Sequence, residues 1–133
     1  MLFRSNDGSA TAEYTGTYKI TFSLQFVNTD NAIHDTYVWL RVNGVDVPRS
    51  ATNFSVPSRK SVGVPSYVCG YSEAVFQMNA GDKVTLYWAT DKAYSTTGPV
   101  DGVYMYAEAA QTVPYARPAI PSAIGSIIFV SGS

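Results

Sequence analysis

The sequence predicts an all-β chain, an antiparallel two-sheet jelly-roll sandwich, on three observations. Apolar and polar residues alternate with period two over several short stretches; Asn-Gly, Ala-Gly-Asp and Pro punctuate those stretches; and β-branched and aromatic residues dominate between the turns. A share of 14% aromatics, led by ten Tyr, fits residue types that favour the pleated, half-buried surface of a strand. At 133 residues the length matches one domain, large enough to bury its own core.

Residues 1–14 are polar and contain Gly and Ser, which predicts a short N-terminal arm or edge strand, with the jelly-roll domain over 15–133. Over 17–27, Tyr18, Ile20, Phe22, Leu24 and Phe26 occupy one phase and Thr17, Lys19, Thr21, Ser23 and Gln25 the other. A helix cannot gather that pattern on one face, so this is a strand with one core face. Val38, Leu40 and Val42 alternate with Tyr37, Trp39 and Arg41, and Asn43-Gly44 then suits a two-residue type I′ turn, so 37–48 reads as a hairpin. Asn53–Val56 is a further strand between Pro48 and Pro57.

Next, 73–79 and 83–89 read as paired strands joined by Ala80-Gly81-Asp82, with Phe76 and Trp88 turned to the core. Over 102–109, Val103, Met105 and Ala107 alternate with Tyr104, Tyr106 and Glu108; a strand is favoured there over a short helix. Pro114, Pro118 and Pro121 hold the following segment extended and bar it from a central ladder. The last strand, 122–130, is apolar on both faces: Ile124, Ile128 and Val130 on one, Ala123, Ile127 and Phe129 on the other. Either a second layer of the same chain or another subunit must cover it.

Composition excludes several function classes. Charged residues make up only 14% of the chain and net charge is −1 without a basic cluster, so there is no electrostatic footprint for nucleic acid. Residues 1–20 hold no apolar core of a secretory signal, and no run reaches transmembrane length, so no membrane insertion is expected. Cys69 is the single cysteine, which rules out an internal disulfide and suits a reducing compartment.

Candidate chemistry is sparse. His34 beside Asp35 has no convergent nucleophile set and reads as an exposed loop histidine; Cys69 reads as a small buried or half-buried thiol. The 28–35 loop, with Asn28, Asp30, Asn31 and Asp35, offers oxygens for Ca²⁺, yet the same residues are what a turn requires. Glu73, Asp82 and Glu108 are the carboxylates a glycosidase pair would draw on, without a local motif. Gly81-Asp82 is explained by its turn, and the Asn53-Phe54-Ser55 sequon lacks a secretory context. No cofactor is expected. Tyr94, Tyr104, Tyr106 and Tyr115 are the candidate ligand-binding aromatics, since exposed Tyr stacks on sugars or buries at subunit contacts.

Three segments, in order, resemble the tumour-necrosis-factor and complement globular-head superfamily: TGTYKITFSLQF (15–26), VWLRVNGVDVPRS (38–50) and FQMNAGDKVTLYW (76–88). They are similar, respectively, to that family's G-x-Y-x-F/I strand, its strand–NG–strand hairpin and its L-x-x-GD-x-V-x-L pair. ARPAIPSAIGSIIFVS (116–131) resembles the tails of phage-encoded members. The resemblance covers the chain from Thr15 onward and departs at the front, where the family places further strands.

It implies a ten-strand jelly roll that assembles as a homotrimer, with 17–27, 73–79 and 122–130 sharing the inner, trimer-facing sheet. Tyr18, Phe76, Ile127 and Phe129 are then expected near the three-fold axis. The implied role is a non-enzymatic virion structural module, made in the host cytoplasm: a capsid decoration, head fibre or tail-fibre tip bound to other virion proteins. The rivals are a fibre module that binds a host surface glycan, and a capsule-degrading enzyme.

Overall fold

The computed structural model describes residues 9–132, which form nine strands and no helix. They are β1 (Ser9–Thr11), β2 (Gly16–Asn28), β3 (His34–Val42), β4 (Val45–Asp46), β5 (Thr52–Val56), β6 (Ser66–Met78), β7 (Lys83–Thr90), β8 (Val103–Met105) and β9 (Ala123–Ser131). One sheet runs β1-β7-β3-β4, with β5 also on β3; the other runs β6-β2-β8, with β9 also on β2. Every ladder is antiparallel. The chain is thus an all-β, two-sheet sandwich consistent with a jelly roll.

β2 organises its sheet. Along one edge it pairs with β6 from Gly16↔Met78 to Asn28↔Ser66. Along the other it pairs with β9 from Thr17↔Ser131 to Leu24↔Ala123, then with β8 at Phe26↔Met105. The phase read from the sequence holds: Tyr18, Ile20, Phe22, Leu24 and Phe26 are buried. From the facing sheet come Val38, Leu40, Val84 and Trp88. The Phe26 ring lies 5.4 Å from Phe54 and 5.1 Å from Trp88, joining the layers through aromatic edges. β2, β6 and β9 do share one sheet, as expected from the resemblance.

The hairpin at 43–44 has its two-residue loop: Arg41 pairs with Asp46 and Val42 with Val45, and φ is 50° at Asn43 and 81° at Gly44. At the front, Ser9–Thr11 forms an edge strand on β7 at Lys83–Thr85, while residues 1–8 and 133 lie outside the described residues.

Three expectations are corrected. The strands at 73–79 and 83–89 do not pair with each other: β6 belongs to β2 and β7 to β3 and β1. Ala80-Gly81-Asp82 instead carries the chain across the sandwich. The Asp82 carboxylate accepts the Asn79 N–H at 2.8 Å and the Asn43 amide at 2.9 Å, and Ala12 exchanges backbone hydrogen bonds with Gly81 and Asp82. β6 also begins earlier than the alternation suggested, at Ser66. Its inner face there carries Gly70 and Ser72 while Tyr67 and Tyr71 point outward, which inverts the usual apolar-inside signal. Finally, the strand over 102–109 shrinks to Val103–Met105, after which bridges Glu108↔Ile120 and Gln111↔Arg117 fold the Pro-rich segment back on itself.

Candidate functional site

Strand alternation gives the β6-β2-β9 sheet a second face, turned away from the core. Tyr71 and Val75 on β6 and Ile124, Ile128 and Val130 on β9 stand on it, each between 51% and 63% exposed. The registers Tyr71↔Ser23↔Ile124 and Val75↔Lys19↔Ile128 set the two apolar strips on either side of β2. Between them the β2 track is small and polar. Thr21 Oγ1 and Ser126 Oγ are 2.6 Å apart, and Thr21, Ser23, Tyr71 and Ile124 line a cavity of about 180 Å³. Lys19 and Glu73 form an ion pair across this face at 3.5 Å.

The residues expected at a three-fold axis divide differently. Tyr18 and Ile127 are 3% and 2% exposed, inside the chain's own core, and Phe76 is half-buried against that core. The Tyr18 hydroxyl donates to the Tyr14 carbonyl at 2.6 Å and accepts the Tyr14 N–H at 3.0 Å. Phe129 is partly exposed, with its ring 5.4 Å from Tyr18 and 5.7 Å from Tyr14. The uncovered set on β9 is therefore Ile124, Ile128 and Val130.

The four candidate tyrosines fall into two groups. Tyr94 and Tyr104 pair at 5.0 Å, beside the end of β8. Tyr106 pairs instead with Tyr67 of β6 at 4.8 Å, and both line a cavity of about 280 Å³ with Gln25, Glu108, Tyr115 and Arg117. The Arg117 guanidinium donates to Glu108 Oε1 at 2.6 Å and to the Val113 carbonyl at 3.0 Å, and it lies 5.4 Å from the Tyr115 ring. The Tyr106 hydroxyl donates to the other Glu108 oxygen. Those two donors, Tyr106 first, hold the Glu108 carboxyl below its ordinary range, and the same bond holds the Tyr106 phenol well above its own. Tyr67 was missed in the sequence because its strand had not been recognised.

His34 is not the exposed loop residue the sequence suggested: it is buried where β3 begins. Its Nε2 lies 2.7 Å from Asp30 and its Nδ1 2.8 Å from Asp91. Lys92 Nζ also reaches Asp30, at 2.8 Å. These partners, Lys92 foremost and then His34, hold the Asp30 carboxyl far below its ordinary range. Two more oxygens of the loop accept hydrogen bonds within it, Asn28 Oδ1 from the Asp30 N–H and Asp30 Oδ1 from the Asn31 N–H. Among the described residues no three His, Cys, Asp or Glu side chains gather as a metal cluster. Cys69, expected to be buried or half-buried, is exposed on the outer face of β6. Glu73, Asp82 and Glu108 sit apart in the fold, on β6, in the sheet crossover and beyond β8, each with its own partner.

No protein-family model and no curated protein matches this chain.

Proposed function

We propose that this chain is a non-enzymatic structural module that assembles as a homotrimer on a phage particle, as a capsid decoration, head fibre or tail-fibre tip. The observation that carries the assembly is the pair of apolar strips flanking β2 on the outer sheet face. Exposed apolar side chains gathered in strips on one sheet face in this way mark an interface. Strips on opposite edges of one face suit a head-to-tail contact, in which the β9 strip of one copy meets the β6 strip of the next. Such contacts close into a ring when the rotation permits. The choice of three copies, and of a virion, rests on the resemblance of segments 15–26, 38–50, 76–88 and 116–131 to trimeric jelly-roll proteins, phage-encoded members among them.

The test is sedimentation at micromolar concentration. Wild-type protein is expected as a trimer. Ile128→Asp, on an exposed position that leaves the core intact, is expected to sediment as a folded monomer, because it places a charge in a desolvated seam. A stable wild-type monomer overturns the assembly. A density map of intact particles tests the virion role by showing these trimers in place.

A further inference from the structure

We propose that the cavity bounded by Tyr67, Tyr106 and Tyr115 is a binding site for a neutral saccharide. Its walls are aromatic: Tyr115 is 66% exposed, and the Tyr67 and Tyr106 rings meet at 53°, so their faces are not stacked against each other. A pyranose has apolar C–H faces and a hydroxyl rim, and Tyr offers an apolar ring with a polar tip to match both. The floor is charged yet compensated, since Glu108 is paired with Arg117 at 2.6 Å. Each Glu108 oxygen takes one donor, from Arg117 or Tyr106, and retains a lone pair for a sugar hydroxyl. Because the Glu108–Arg117 pair carries no net charge, the cavity offers no surplus charge for an ionised ligand.

The cavity, about 280 Å³, falls just under the range of drug-sized ligand sites, which starts at about 300 Å³, and suits a small ligand such as a single sugar ring. It is also preformed: Tyr106 N–H donates to the Gln25 carbonyl at 2.9 Å, and the Glu108↔Ile120 and Gln111↔Arg117 bridges brace the segment carrying Tyr115 and Arg117. The cavity near Tyr94 has a single aromatic wall, with Arg59 and Asp101, and lacks this arrangement. One chain supplies every wall of the Tyr67 cavity, so the inference does not rest on the trimer.

The experiment titrates the wild-type protein with methyl glycosides and short oligomers of glucose, galactose, mannose and N-acetylglucosamine, read by saturation-transfer NMR and calorimetry. At least one is expected to bind saturably. Tyr115→Ala is expected to weaken it by about tenfold or more, and Tyr94→Ala to leave it unchanged. Absence of binding at millimolar sugar, binding of uronate sugars alone, or Tyr115→Ala and Tyr67→Ala binding like wild type would each overturn the site. Sedimentation of the same variants separates the two proposals. If Tyr67→Ala or Tyr115→Ala dissociates the oligomer and no sugar binds, the cavity is a subunit contact and the saccharide site is wrong. Sugar binding by a wild-type monomer would sink the trimer and keep the site.

Discussion

At Gly70 an added Cβ would stand 2.7 Å from the Phe54 ring, itself held against Phe26. Gly70→Ala should therefore strain a packed aromatic pair and cost about 1–3 kcal/mol in chemical denaturation. Asp30 offers a second measurement. Its folded-state pKa is depressed by Lys92 and His34, so its contribution to stability is present above the ordinary value of 3.8 and is lost as pH falls. The melting temperature of wild type should exceed that of Asp30→Asn at pH 7, and the gap should close on acidification from about pH 5 downward. A gap independent of pH would show that the Asp30 charge is not what holds the loop. Neither feature was legible in the sequence. The setting of His34 depends on Asp91 and Lys92, which the fold brings in from beyond β7, and Gly70 gains its meaning only when β5 lays Phe54 over it.

Elements whose two faces differ were readable; β9, alike on both faces, was readable as a strand but not in which face it buries, and the first half of β6, with its faces reversed, was not read at all. β2 was legible to within one residue at each end because large apolar side chains fill one phase without exception. Phe22→Ala should cost about 3–5 kcal/mol, while Thr21→Ala, on the outer face, should cost far less; equal losses in thermal melts would refute the strand phase. The 43–44 hairpin was legible for a different reason, since few residues tolerate positive φ twice in succession. Gly44→Val should destabilise by about 1 kcal/mol or more in the same melts, from φ alone, because nothing lies within 4 Å of the added Cβ. The pairing of β6 was illegible because a short Gly-Asp turn serves a hairpin and a sheet crossover equally well. What decided between them was a full-length ladder to β2, a long-range choice that no local pattern records.

For the whole molecule, the sandwich followed from local alternation, whereas its outer face did not. The sequence showed that one side of the last strand lacked cover, but only the register with β2 shows that Ile127 turns inward and Ile128 outward. The saccharide cavity was half legible: Tyr106 and Tyr115 stood out as aromatics, while Tyr67 and the Glu108–Arg117 pair came with the fold. One further consequence lies in the central place of β2, and it concerns time. Thr21 meets Ser126 across a separation of 105 residues, so the Thr17–Leu24 stretch of one β2 edge stays unpaired until almost the entire chain exists. Such non-local closure belongs to topologies that fold in about milliseconds to seconds rather than microseconds. A chain emerging from the ribosome N-terminus first would carry an open, aromatic-rich strand edge throughout synthesis. Removing residues 122–133 should make that condition permanent, and the truncated protein should accumulate as aggregate while the full chain stays soluble.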